Sequence, residues 1–214
     1  MDTPVKIVGP AFSTFVRSVL IACEEKGIPY EVNPEVNGKR LSFGDKELFD
    51  FHPYGKVPVL ITEFGNISET SSIIRYLDSL NDNNKLYPAD AFDKALVDQW
   101  SALISVYIDQ AIVRNLLLEY AFPKGENGSV RMDKVQEALP GVLKALSVVN
   151  TQVEGTDYIC GERLSAADLV LIPMLDYLQK TPDGAGLVEG YPAVSGYLSR
   201  VKERVSIAKV LAVS

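Results

Sequence analysis

Two cysteines and one histidine are all that 214 residues hold of the common soft metal ligands. That is too few for a disulfide-stapled scaffold or a structural zinc site, which gathers about four clustered ligands. Cys23 and Cys160 lie far apart without CxxC spacing, and His52 has no second histidine near it, so no metal site is expected. Two isolated thiols fit a reducing compartment. Basic residues are also short: 21 Lys and Arg against 28 Asp and Glu leave a net charge of -7. A general nucleic-acid binder needs a basic surface to displace counterions from phosphate, so that class is excluded. No continuous apolar run approaches the roughly 18 residues of a membrane-crossing helix. The opening Met1-Asp2-Thr3-Pro4 lacks the basic and apolar regions of an export signal. The expectation is a cytoplasmic protein with neither membrane nor nucleic-acid partners. A hydrophobic share of 47% with 23% charged residues is ample for a full globular core.

The pattern changes near residue 80. Before it, short apolar runs alternate with helical periodicity: a strand over Val5 to Val8, a helix over Ser13 to Lys26 and a strand over Tyr30 to Pro34. A hairpin built from Val57 to Thr62 and a following segment turns around Glu63-Phe64-Gly65-Asn66, and a helix runs from Glu69 to Leu80. This is a βαβ unit followed by ββα, an α/β first domain over 1–80. Residues 81–90 are polar and turn-rich and suit a linker. Beyond it, helical patterns over Phe92 to Tyr120, Val130 to Glu154, Ser165 to Gln179 and Val194 to Arg204 predict an all-helical bundle over 91–214. No internal repeat or low-complexity tract breaks this plan.

Three places in the first domain carry binding chemistry. Lys56-Val57-Pro58 leads into an apolar strand; a proline there marks an edge or fixed turn and leaves the Val57 N–H and C=O to pair with an extended guest. Ser68-Glu69-Thr70 opens a helix, where unsatisfied backbone donors and the partial positive charge of the helix end favour a carboxylate. Ser13 stands at a similar helix start and reads from pattern alone equally well as an N-cap. Together these sites predict a pocket for an anionic, peptide-like ligand. In the second domain, Ser165 and Asp168 have capping-box spacing and Leu164 and Leu169 that of a hydrophobic staple, so Asp168 is expected to be structural rather than a catalytic acid.

The order of Gly9-Pro10-Ala11-Phe12-Ser13-Thr14-Phe15-Val16-Arg17, His52-Pro53-Tyr54-Gly55-Lys56-Val57-Pro58, Ser68-Glu69-Thr70 and Leu164 to Leu169 resembles a cytosolic glutathione transferase of the serine type, phi-like or related, over nearly the whole chain. The resemblance implies a thioredoxin-like N-terminal domain with a cis Val57-Pro58 peptide, an α-helical bundle C-terminal domain and a homodimer. It implies glutathione as co-substrate, with no tightly bound cofactor. Ser13 would donate a hydrogen bond to the glutathione sulfur; a free thiol has a pKa of about 8.5, and lowering it by about two corresponds to about 2.7 kcal/mol. Thr14 is the competing hydroxyl. Cys23 lies about three turns into the helix, too deep to act as nucleophile. Val57 would pair with the cysteinyl backbone, Glu69 with the γ-glutamyl ammonium and Thr70 with its carboxylate. Lys56, and Lys46 among the candidates Lys39, Arg40 and Lys46, would meet the glycyl carboxylate. His52 stands where the family commonly has Asn and is expected to be a hydrogen-bonding loop residue; Arg17 is expected at a surface or interface ion pair. The electrophile pocket is expected between the domains, walled by Phe12, Tyr107, Ala111, Asn115 and Leu118. Conjugation of small apolar electrophiles, with hydroperoxide reduction as a second activity, is the leading function. A non-catalytic binding or interaction protein on the same fold is the alternative, and a glutathione-dependent isomerase a narrower one.

Overall fold

A computed structural model describes residues 3–36, 38–41 and 44–213. The described chain divides into two compact units, one made of the residues up to Lys94 together with those from Glu203 onward, the other of Ala95–Lys202.

The first unit begins β1 (Val5–Val8), α1 (Thr14–Lys26), β2 (Tyr30–Val32), and β1 pairs with β2 in parallel, Val5 opposite Tyr30, as a crossover helix permits. Gly27 ends α1 in the left-handed region at φ 64, its N–H returned to the last carbonyls. β2 is shorter than the expected Tyr30 to Pro34, because Asn33 turns to φ 48 and its side chain takes the Gly9 N–H at 3.3 Å. An antiparallel strand pair, β3 (Glu35–Val36) and β4 (Lys39–Arg40), and a 3-10 helix over Lys46–Asp50 follow, both too short for a sequence period to show. β5 (Val59–Thr62) and β6 (Gly65–Ser68) form the expected hairpin, and α2 (Thr70–Ser79) closes the motif. The four-stranded order is β2-β1-β5-β6. Ile7, Val8, Val59 and Leu60 are buried in the sheet, and α1 and α2 pack together through helices that bury Val16, Val19, Leu20, Ile73, Ile74 and Leu77.

The last helix, α9 (Val205–Leu211), belongs to this unit, so the helical bundle expected over 91–214 does not include the chain's end. It packs on α1, where Arg204 grips Glu25 at 2.8 and 2.7 Å and Lys209 meets Glu24 at 2.6 Å.

Lys26 is fully buried and pairs with Asp78 at 3.0 Å, while also donating to the Asn81 carbonyl; Asp78 in turn accepts the Leu86 N–H at 2.8 Å. Removing one member strands a buried charge, at about 3–5 kcal/mol, whereas replacing both with apolar groups is far milder. Lys26→Met is therefore expected to lower Tm by about 10 °C, and Lys26→Met with Asp78→Leu to recover most of that in thermal melts. Equal losses in the two variants would contradict the pairing.

The second unit is helical. α3 (Ala91–Leu103) continues as a π-helix over Ile104–Leu117 and ends as α4 (Leu118–Ala121). The run Ala91–Ala121 is long and apolar enough to cross a membrane by length and composition, but Ile104, Ile108, Ile112, Val113 and Leu116 are buried in the protein interior. α5 (Met132–Val153), α6 (Ala166–Gln179), the short Gly-rich α7 (Gly184–Glu189) and α8 (Pro192–Lys202) complete it. α8 starts two residues before the expected Val194, at a proline preorganised for a first helical position. The capping box at Ser165 is present, and Asp168 is fully buried. Its carboxylate takes the Ser165 N–H and hydroxyl at 2.8 and 2.7 Å, the Ile159 N–H at 2.8 Å and the Tyr197 hydroxyl at 3.0 Å. Four donors spoken for in this way make it a structural knot joining α6 to α8.

Candidate active site

Strand register builds the site. Val8 lies opposite Val59, and Val59 opposite Ser68, so one row crosses β1, β5 and β6. The loop leaving β1 carries Ser13, the segment entering β5 carries Val57, and the turn leaving β6 carries Glu69 and Thr70. All three therefore emerge at the same end of the sheet.

Ser13 is the N-cap of α1, with extended backbone at φ -65 and ψ 131, and its Oγ accepts the Val16 N–H at a long 3.5 Å. A hydroxyl used as acceptor still has its own proton to donate. It is half-buried, whereas Thr14 beside it is buried. No acidic residue stands in the first turn of α1, so nothing within the helix cancels the positive end of its dipole. Arg17 is no surface group: it is 1% exposed, and its guanidinium donates to the carbonyls of Ala11, at 3.1 Å, and Val213. It ties the loop bearing Phe12 and Ser13 back onto its own helix.

The Val57-Pro58 peptide is cis. Among the described residues, neither the N–H nor the C=O of Val57 has a backbone partner. Gly9 makes the approach of β1, α1 and Val57 possible: at φ 132, a Cβ on it would lie 2.7 Å from Val16 Cγ2 and 2.9 Å from Val57 Cβ.

Glu69 precedes α2 at φ 70 and ψ 120, an unusual backbone for a residue with a side chain. Its carboxylate is exposed and lies 3.3 Å from His52 Nε2, while Thr70 is buried. Lys46 opens the 3-10 helix and Lys56 sits before Val57, both exposed. Lys39, another candidate for the glycyl end, is engaged by Asp45 at 3.3 Å and Glu47 at 3.2 Å, and Arg40 is exposed on β4. Phe12 is exposed on the first unit. Tyr107, Ala111 and Asn115 lie on the π-helix of the second, with Tyr107 and Asn115 exposed and Ala111 half-buried; Gln110 donates to the Asn115 side-chain oxygen at 2.8 Å, and Leu118 starts α4. A separate cleft of about 390 Å³, lined by Glu24, Glu25, Asn84, Arg204, Val205 and Ser206, contains none of these residues, and its charges are paired, Glu25 with Arg204 and Glu24 with Lys209.

Cys23 is fully buried within α1, and burial, with Glu24 beside it, pushes its thiol up to about 12. Such a thiol carries no useful thiolate at neutral pH. Maleimide labelling of the native protein is expected to modify Cys160 and spare Cys23 until denaturant is added; mass mapping that finds native labelling at Cys23 would contradict its burial.

His52 is the hydrogen-bonding loop residue expected of it, whereas Gly9, which lets these segments approach, was given no role of its own; the available signal was a glycine at the end of the first strand.

Comparison with known proteins matches residues 12–80 to the glutathione S-transferase N-terminal domain and 113–204 to the glutathione S-transferase C-terminal domain. The probable glutathione S-transferase GSTF1 of Oryza sativa subsp. japonica is 29% identical across 99% of this chain and 97% of its own. The solved structure of poplar glutathione transferase F1 superposes with a TM-score of 0.84 at 27% identity over 98% of this chain and 97% of that one. Glutathione S-transferase I from mais, in complex with an atrazine glutathione conjugate, gives 0.81 at 27% identity over 98% and 97%. A probable elongation factor 1-gamma 1 of Arabidopsis thaliana is 27% identical over 91% of this chain but only 46% of its own length. Both halves match in chain order on a thioredoxin-like unit and a helical one, and the chain belongs to the glutathione S-transferase family.

Proposed function

We propose that the protein binds glutathione at the end of the sheet where β1, β5 and β6 share a row, ionises its thiol, and transfers the thiolate to small apolar electrophiles. The observation that carries this reading is the placement of the half-buried Ser13 hydroxyl, with a proton to donate, at the uncompensated positive end of α1. Hydrogen bonding to a thiolate and nearby positive potential both favour the anion. Val57 pairs with the cysteinyl backbone, Glu69 holds the γ-glutamyl ammonium, Thr70 its carboxylate, and Lys46 or Lys56 the glycyl carboxylate. Phe12, Tyr107, Ala111 and Asn115 are the residues assigned to the electrophile. The working form is a cytoplasmic homodimer with no tightly bound cofactor.

Calorimetric titration with glutathione, followed by turnover of a chloronitrobenzene, tests the reading. Binding with measurable conjugation supports it, and absence of binding removes it. A second reading, a glutathione-binding interaction protein without catalysis, draws support from the similarity to the elongation factor 1-gamma chain. Binding with no turnover across several electrophiles and hydroperoxides would select it.

A further inference from the structure

His52 is buried, at 4% exposure, in the loop that precedes Lys56-Val57-Pro58. Its Nδ1 accepts the Tyr54 backbone N–H at 3.0 Å. A ring nitrogen that accepts carries no proton, so the hydrogen of the imidazole sits on Nε2. That N–H faces Glu69 Oε1 at 3.3 Å. Glu69 itself is 74% exposed in its side chain, yet its backbone is held at φ 70, which a residue other than glycine keeps only where its surroundings over-determine it.

We propose that His52 is a positioning residue for substrate: through Nε2–H it holds the Glu69 carboxylate toward the ammonium of the γ-glutamyl end, leaving the second carboxylate oxygen for the ligand. The assignment rests on the reading of Glu69 given under Proposed function and names the group that makes it effective. An exposed glutamate must give up rotamer freedom when it captures a ligand, and one already held gives up less. A neutral donor suits the task. It fixes one oxygen without cancelling the negative charge that the ammonium meets, as a lysine or arginine in its place would do. The fixed tautomer also makes the loop before β5 and the start of α2 a single bonded unit, so the cysteinyl and γ-glutamyl subsites are set in common.

The test compares glutathione with its desamino analogue, γ-glutaryl-cysteinylglycine, on wild type, H52N and H52Q. Asparagine keeps an acceptor for the Tyr54 N–H but is too short to reach Glu69, while glutamine restores a donor of greater reach. Wild type should favour glutathione over the analogue. H52N should raise KM for glutathione about three- to tenfold with kcat little changed and leave affinity for the analogue within about twofold, and H52Q should recover part of the loss. The chain has one histidine, so heteronuclear NMR of the wild-type imidazole nitrogens reads a single ring and needs no variant; it should show Nε2 protonated and Nδ1 bare. Protonation at Nδ1, or an equal loss on both ligands in H52N, overturns the positioning role and leaves Ser13 chemistry standing. Indifference of wild type to the missing amine removes the Glu69 assignment and this proposal with it; failure to bind either ligand removes the parent reading.

Discussion

Ser13→Ala is expected to lower kcat/KM for glutathione conjugation at neutral pH by about 10- to 100-fold, the worth of one hydrogen bond to a charged group. The loss should fall mainly on the chemical step. In the proposed site Val57, Glu69 and Thr70 would hold the tripeptide whether or not the thiol ionises, so affinity for the protonated thiol form should change little. The pH dependence has a definite sign. A bound thiol with a lowered pKa is ionised well below the free value of about 8.5, and in the alanine variant that advantage shrinks. At saturating glutathione, the gap in turnover between the two proteins should therefore be widest at slightly acidic pH and close as pH rises past the free thiol's range, where both hold thiolate. Ser13→Thr keeps the hydroxyl and should retain much of the rate. Thr14→Ala should stay within about twofold, because Thr14 is buried while Ser13 is half-buried. Ser13→Ala also removes an N-cap at about 1 kcal/mol, so melting curves are needed beside the rates. Undiminished turnover in the alanine variant would take Ser13 out of the mechanism.

Gly9→Ala should have the larger effect on the protein itself. Its φ of 132 lies where only glycine is comfortable. The added methyl would sit 2.7 Å from Val16 Cγ2 and 2.9 Å from Val57 Cβ, and the second of these atoms hangs directly on backbone that cannot swing away. Backbone strain and overpacking each cost about 1–3 kcal/mol, so a combined loss of about 4 kcal/mol and a fall in Tm of about 10 °C are expected. The folded fraction should bind glutathione poorly, since Val57 and the helix bearing Ser13 are pushed apart. Adding Val16→Ala relieves the closer contact and should restore some stability but not binding. A Gly9→Ala protein that melts and binds like wild type would show that the three segments do not meet as described.

The elements visible in the sequence were those with a clear period and a chemical full stop. Ser13 before α1 and the hairpin around Glu63 to Asn66 announce themselves locally. The placement of the candidate site residues was partly legible for the same reason: Ser13, Val57, Glu69 and Thr70 flank element ends that pattern can locate. What pattern cannot give is the register that sets Val8, Val59 and Ser68 in one row. Without it, Gly9 is one glycine among fifteen and His52 a loop residue. Arg17 was misplaced because an arginine with helical spacing looks solvent-facing, whereas here two backbone carbonyls accept its protons in the interior. β3, β4 and α7 have too few residues for periodicity to register. The π-helical winding of Ile104–Leu117 leaves no mark in an apolar pattern that an α-helix would share. The tail bearing α9 joins the first unit through contacts between residues about 180 positions apart, the Glu25–Arg204 ion pair and the Ser206 hydroxyl's hydrogen bond to Glu25, which no local pattern registers.

The most direct test of the account follows thiolate absorbance in the ultraviolet as the glutathione-saturated protein is titrated with base, with Ser13→Ala as the control. The bound thiol should ionise about two pH units below free glutathione, and the alanine variant should return most of the way to the free value. A bound thiol that ionises at the same pH as in buffer, with or without Ser13, would contradict the mechanism at its source.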